Sequence, residues 1–136
     1  MGFEMLYTKS IIKQKLPEED FRISIMSRHT LDDGKTPNEK IVNYDCFDSW
    51  FKILAPPDKL VGAFYRGELS RENYNKKYLG YLRTEKVSKI VKKIAGLARK
   101  TNITAECIEE NANECHRNVF AKECQRYFPD LEVRHL

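Results

Sequence analysis

Two tripeptides in the last third of the chain bring together side chains that can do chemistry. Cys-Ile-Glu at 107–109 ends an apolar run that begins at Ile103, and Cys-His-Arg at 115–117 opens a stretch with helical spacing. The unpaired N–H groups and the dipole at a helix start attract anions, and the same field lowers the pKa of a cysteine. The pattern therefore predicts an anion-binding site or a reactive thiol.

The elements that must position these motifs can be predicted from apolar spacing and turn residues. Strands are expected at 3–12, 21–27, 103–108 and 131–135, where the chain is apolar, alternating or β-branched. Helices are expected at 45–54, 58–65, 71–83, 85–98 and 115–127, where apolar residues recur at helical spacing. Ser70 and Thr84 are predicted N-caps, and Gly67 is predicted to end a helix.

The order of these elements predicts a single-domain α/β protein over residues 1–136, with a mostly parallel sheet and helices on both faces. The late strand–helix–strand unit requires a right-handed crossover, which makes its two strands parallel. Ligands of such sheets bind at the carboxyl ends of the strands. Arg28 and His29 follow the second strand and Cys107 ends the third. If those strands are neighbours, arginines, histidines, carboxylates and a thiol share one pocket.

Composition sets the broad class of protein. The 136 residues are 41% hydrophobic and 32% charged, which is ordinary for a soluble globular domain, and the net charge of +4 permits an anionic partner without requiring one. No apolar run reaches membrane-spanning length, and the first sixteen residues do not resemble a secretory signal. The four cysteines are too irregularly spaced for a secreted disulfide framework, so we expect reduced thiols and a cytoplasmic location.

The chain resembles the family called domain of unknown function 488, whose members share Cys-x-Glu at a strand end and Cys-His-Arg at a helix start. Those residues are 107–109 and 115–117 here, and the resemblance extends to Arg28, to Trp50-Phe51 and to the tyrosine-rich helix at 74–82. The resemblance implies an α/β fold. It implies no established activity, since the family has none.

Two functional hypotheses follow from the pocket. In the first, Arg117 and Arg28 hold a phosphate or carboxylate in their planar forks, with Asn113 capping the last helix. In the second, Cys115 is the thiolate of an enzyme acting on such a ligand. Adjacent helical residues point about 100° apart, so His116 need not reach the Cys115 sulfur. The alternative to both is that the arginines merely pair with Glu106, Glu109 or Glu110.

Two further hypotheses have less support in the sequence. A zinc site from Cys107, Cys115, His116 and Cys124 is disfavoured, because nine residues of helix place Cys115 and Cys124 on opposite faces. An accessory role on nucleic acid would use the basic face of the third long helix, with tyrosines as stacking surfaces. Those lysines also fit an ordinary solvent face. The basic residues concerned are Lys86, Lys89, Lys92, Lys93, Arg99 and Lys100.

The sequence thus predicts a polar pocket for a small anionic or nucleotide-type ligand, without a metal or cofactor and without a membrane partner. Whether it catalyses a reaction and how many copies associate are left open. The candidate catalytic residues are Cys115, His116 and Glu109, and the candidate ligand-binding residues are Arg117, Arg28, His29, Cys107 and Asn113.

Overall fold

Five strands form one parallel sheet. The computed structural model describes residues 5–30, 35–41, 45–108 and 116–136. Its strands are β1 (Leu6–Ser10), β2 (Phe21–Ser24), β3 (Ser49–Trp50), β4 (Ile103–Cys107) and β5 (Val133–His135). Their order across the sheet is β3-β2-β4-β1-β5, and every neighbouring pair is parallel. The predicted α/β class with a mostly parallel sheet is confirmed.

Four of the five predicted helices are present in the described part of the chain. They are α1 (Asp58–Tyr65), α2 (Arg71–Leu82), α3 (Glu85–Ala98) and α4, whose described residues are His116–Tyr127. Ser70 caps α2 as predicted, because its hydroxyl accepts a hydrogen bond from Asn73 N at 3.1 Å. Thr84 occupies the N-cap position of α3 but its hydroxyl donates to the Tyr81 carbonyl instead. None of these described helices has the length and apolar character needed to cross a membrane.

Gly67 ends α1 because only a residue without a Cβ adopts its backbone conformation at little cost. Its φ is 76°, in the left-handed region. Gly67 N then donates to the Phe64 carbonyl and Glu68 N to the Ala63 carbonyl, each at 3.0 Å. These two bonds satisfy carbonyl groups at the helix end. The turn directs the chain into α2, which carries one wall of the cavity described below.

The helix predicted at 45–54 is wrong. The segment instead contains the short strand β3, followed by one 3-10 turn at Lys52–Leu54. Asp48 N and Phe51 N donate to carbonyl oxygens of β2 at 2.9 Å, and the Asp48 carboxylate binds the guanidinium of Arg22. These bonds to a neighbouring strand outweigh the helical spacing of the aromatic residues, which is a local signal only.

One face of the sheet is apolar and carries the helices. Leu6, Ile23, Ile103 and Ala105 lie on this face and pack with buried residues of α2, α3 and α4. Helices were expected on both faces, whereas the described helices gather on this one. Tyr78 and Tyr81 add hydrogen bonds from their hydroxyl groups to carbonyl oxygens of the 3-10 turn. The apolar core therefore fixes α2 relative to the strands.

The other face of the sheet is polar and nearly inaccessible to solvent. Lys9 on β1, Arg22 on β2 and Glu106 on β4 are each 2% exposed or less, and Lys9 Nζ lies 2.8 Å from Glu19 and 3.4 Å from Glu106. Burial raises the pKa of Glu106 to about 8, against the opposing charges of Lys9 and Arg22. With Glu106 protonated, two cations balance Glu19 and Asp48.

Candidate functional site

A cavity of about 110 Å³ lies at the carboxyl ends of β2 and β4. Its lining comes from the segments that follow these two strands, from α1, and from residues near the beginnings of α2 and α4. The described lining residues are Met26, Ser27, Arg28, Thr30, Asn38, Val61, Tyr65, Tyr74, Cys107, Ile108 and His116. The cavity is therefore at the edge of the sheet where parallel α/β proteins bind ligands.

The cavity forms here because β2 and β4 are neighbours. Ser24 pairs with Glu106 in parallel register, and Ile25 N donates to the Glu106 carbonyl at 3.0 Å. The residues after each strand must then emerge side by side. The expectation that the ends of the second and third long strands adjoin is confirmed, and it places Arg28 and Cys107 on the same cavity.

His116 joins the start of α4 to the end of β2. Its Nε2 lies 2.7 Å from the Ile25 carbonyl oxygen and donates to it. Burial lowers the pKa of His116 to about 4, and the charge of Arg117 adds to this effect. The ring is thus neutral at ordinary pH. With its Nε2 committed to the backbone, His116 fixes the position of the helix and presents an uncharged surface to the cavity.

Arg117 lies behind the cavity wall. Its side chain is 1% exposed, it is absent from the described lining, and its Nη1 donates to the Cys107 sulfur at 3.0 Å. The Cys107 sulfur is disulfide-bonded in this structure, whereas Cys46 and Cys124 are free. The expectation that all four cysteines are reduced is therefore wrong for Cys107. A guanidinium held against a sulfur would favour the thiolate if that bond were reduced.

Arg28 and His29 go to different places although they are adjacent. Arg28 lines the cavity, and no ion pair joins it to a described carboxylate. His29 stacks on Trp50 with ring centroids 4.0 Å apart, and its Nε2 is 2.7 Å from the Ser24 hydroxyl. Burial lowers the pKa of His29 to about 4. His29 therefore supports the polar side of the sheet and does not line the cavity.

Three predicted site residues, Cys115, Glu109 and Asn113, fall outside the described residues. The same is true of Glu110, so its predicted pairing with an arginine lies outside them too. Glu106, the remaining candidate partner, lies against Lys9 instead. Of the eight predicted site residues, the structure brings Arg28, Cys107 and His116 to the cavity and places Arg117 directly behind Cys107.

Several lining residues were not predicted from the sequence. Tyr74 belongs to the apolar stripe of α2, so its spacing indicated a core residue, and only the position of α2 over the strand ends exposes it to the cavity. Thr30 and Asn38 come from the loop after β2. A bridge between Thr30 and Pro37 and a hydrogen bond from Asn38 N to the His29 carbonyl at 3.1 Å bring Thr30 close to Asn38.

The structure also locates the residues of the two less supported hypotheses. Cys124 is fully buried among apolar residues of the core, as its neighbours in the sequence suggested. No three ligand-type side chains of the described ranges lie close enough together to hold a metal ion. Tyr78 is buried and Tyr81 half-buried, with both hydroxyls bonded to the 3-10 turn, so they offer no stacking surface. The basic residues of α3 are exposed.

The family of the chain follows from a comparison with family models. The model DUF488-N3a, described as the active DUF488-N3 subclade, matches residues 6–127. The chain belongs to the DUF488 family. The match extends from β1 through α4 and so includes every described residue of the cavity. No curated protein and no solved structure matches the chain.

Proposed function

We propose that this DUF488 protein binds a small anionic ligand in the cavity at the strand ends. The observation that carries the proposal is the charge of the lining. Arg28 is the one charged side chain among the described lining residues, and no carboxylate of the described chain lines the cavity or pairs with Arg28. The buried guanidinium of Arg117 lies close behind and adds positive potential.

The size and polarity of the cavity limit the range of ligands that fit it. An apolar cavity of about 150 Å³ holds a benzene ring, so a volume of about 110 Å³ accommodates one phosphate, carboxylate or small ring. Ser27, Thr30 and Asn38 offer polar groups around Arg28. The Thr30 hydroxyl is buried without a hydrogen-bond partner among the described residues. A ligand oxygen bonded to that hydroxyl and to Arg28 would satisfy both. A nucleotide-type ligand would therefore place one group, such as its phosphate, in the cavity, and the rest of the ligand would lie outside it.

Calorimetric titration of the whole chain with inorganic phosphate and with nucleoside monophosphates tests this proposal. We expect Arg28→Ala to weaken binding about tenfold or more, because a charge-assisted bidentate bond is lost, and Arg28→Lys to weaken it less. Arg99→Ala is the matched control, since Arg99 is exposed, pairs with Asp130 and lies away from the cavity. Equal affinity in the wild type and Arg28→Ala would refute the assignment of Arg28.

A thiol-dependent enzyme acting at the same cavity is the second candidate, favoured by the 3.0 Å contact between Arg117 Nη1 and the Cys107 sulfur. The description of the matching family model as an active subclade also supports catalysis. Cys107 is fully buried, so once reduced it can be reached by iodoacetamide only through the cavity, and we expect that reaction to slow in Arg117→Lys, which loses the contact that favours the thiolate. Mass spectrometry would follow each cysteine, including Cys115. Catalysis by Cys107 is excluded if its pH profile is that of a free thiol and is unchanged in Arg117→Lys.

The nucleic-acid hypothesis has its support in α3, whose exposed lysines form a basic surface. It predicts binding of nucleic acid that weakens steeply as the salt concentration rises and that is lost when Lys89, Lys92 and Lys93 are neutralised together. We also propose a cytoplasmic location, for which the free thiols of Cys46 and Cys124 count in favour and the disulfide-bonded Cys107 counts against. Acid quenching of whole cells, followed by unfolding and alkylation, would test the location, because a reducing compartment should yield Cys107 as a thiol.

A further inference from the structure

A second surface with the features of a ligand site lies between α2 and α4, away from the strand ends. This surface, the α2/α4 groove, encloses about 410 Å³, within the ~300–1,000 Å³ typical of small-molecule sites. Each helix contributes one stripe of side chains at helical spacing. The lining residues are Glu72, Asn75, Lys76 and Leu79 of α2, Arg83 directly after it, and Asn118, Val119, Lys122, Glu123 and Arg126 of α4.

The two helices that form the groove run in the same direction. Tyr78 contacts His116 edge to face at 5.4 Å between ring centroids, and further along both helices Arg83 bonds to Glu123 at 2.9 Å. A rigid core lies beneath this pair, because Tyr78 and Leu82 are fully buried. The core therefore fixes the two helices on either side of the groove, whereas exposed side chains form much of its lining.

The groove has an excess of positive charge. Its lining contains four cations and two carboxylates. Glu123 is only 2% exposed and accepts bonds from both Arg83 and Arg126, so one carboxylate serves two guanidinium groups. Both arginines remain half-exposed and have further N–H groups to offer. Lys76 pairs with Glu72 at 3.4 Å, whereas Lys122 pairs with no described carboxylate.

The floor of the groove contains a polar atom that lacks a partner. The Oδ1 atom of Asn75 is buried and accepts no hydrogen bond from the described chain. Leu79 and Val119 flank it with apolar surface. Leaving a buried acceptor unpaired costs free energy, so a ligand with an N–H or O–H donor at this point would be favoured.

From these features, we propose that the α2/α4 groove binds a small organic anion that combines three groups. An anionic group would bind Lys122, Lys76 and the arginines, a flat or apolar body would rest on Leu79 and Val119, and an N–H or O–H donor would bond to Asn75 Oδ1. A nucleoside monophosphate has all three groups. The groove is thus a binding site separate from the cavity at the strand ends, and its occupant need not be the ligand of that cavity.

Adenosine monophosphate is the probe for this proposal, with inorganic phosphate as the comparison that lacks the donor and the apolar body. Titration into the ¹⁵N-labelled whole chain should shift amide signals of residues 72–83 and 118–126, and calorimetry gives the affinity. The double variant Lys76→Ala/Lys122→Ala should bind about tenfold more weakly, because two exposed charge contacts are lost. Its control is Lys89→Ala/Lys92→Ala, which removes two exposed lysines of α3.

Asn75→Ala tests the hydrogen bond to the floor and should reduce the affinity for adenosine monophosphate toward that for phosphate. If the double variant melts below the wild type, Lys122→Ala alone replaces it. The proposal is overturned if adenosine monophosphate shows no saturable binding at millimolar concentration. It is also overturned if the α3 double variant weakens binding as much as the groove double variant does, because the probe would then be attracted only by the net charge of the protein. It is also overturned if Arg28→Ala abolishes the shifts of α2 and α4, since the probe would then occupy the strand-end cavity.

Discussion

Replacing Glu106 with glutamine should change how the stability of the protein depends on pH. The Glu106 side chain is fully buried in the sheet, and its pKa is raised to about 8 by burial. A carboxyl whose native pKa exceeds its unfolded value retains a proton that the unfolded chain releases. The contribution of Glu106 to stability is then fully present below 4.5, its pKa in the unfolded chain, and is lost as the pH rises to about 8, its pKa in the folded protein.

The size of the effect follows from the width of that window. Each pH unit between 4.5 and about 8 lowers the free energy of unfolding by up to about 1.4 kcal/mol, which gives an upper limit of about 5 kcal/mol. Two histidines act in the opposite direction. Burial lowers the pKa values of His29 and His116 to about 4, so their contribution is lost as the pH falls below 6.5. We therefore expect maximum stability near pH 6.5.

Urea denaturation at intervals between pH 6 and 8.5, followed by circular dichroism, would measure this effect. The glutamine variant should lose about 1 kcal/mol less per pH unit than the wild type, and it should be the more stable protein at pH 8. Other titrating groups cancel in the difference between the two curves. Glu72→Gln is the control, since Glu72 is exposed and pairs only with Lys76 among described residues. Parallel curves for the wild type and Glu106→Gln would refute the reasoning.

Three further predictions concern the framework of the site. Tyr78→Phe should lower the free energy of unfolding by about 1–3 kcal/mol, because the buried Leu54 carbonyl loses its hydrogen-bond donor. Urea denaturation would measure this loss, and an unchanged midpoint would count against that hydrogen bond. Gly67→Ala should cost about 1–2 kcal/mol in the same assay, since an alanine at a φ of 76° is strained, and a neutral result would mean that the turn has another conformation. In the folded protein, iodoacetamide should label Cys46 but not Cys124, because Cys124 is fully buried and burial raises its pKa. Mass spectrometry would identify the labelled cysteines, and rapid labelling of Cys124 would contradict its position in the core.

Long amphipathic segments were predictable because their local signals agree with their tertiary environment. The apolar stripe of α3 and the Ser70 cap of α2 needed no knowledge of the rest of the chain. The segment at 45–54 was not predictable in this way. Its aromatic residues have helical spacing, but its backbone pairs with β2, and the buried Arg22 takes its carboxylate partner from Asp48. Neither interaction is visible without the neighbouring strand.

The site was predictable to the extent that it depends on topology. A parallel sheet places its strand ends together, and this sufficed to bring Arg28, Cys107 and His116 to one cavity. The prediction did not separate Arg28 from His29, although adjacent residues of an extended chain point in opposite directions. Nor could it show that Tyr65 would line the cavity, because that depends on how α1 packs on the rest of the protein.

The position of β4 in the sheet has a consequence for the order in which the chain can fold. This strand lies between β1 and β2, yet it begins at Ile103, long after β2 ends at Ser24. During synthesis, β1 and β2 therefore leave the ribosome well before β4, the strand that pairs with both of them. Such distant pairing slows folding and leaves strand edges open to contact with other chains. We expect the sheet to assemble in one late step and chains that stop before Ile103 to aggregate.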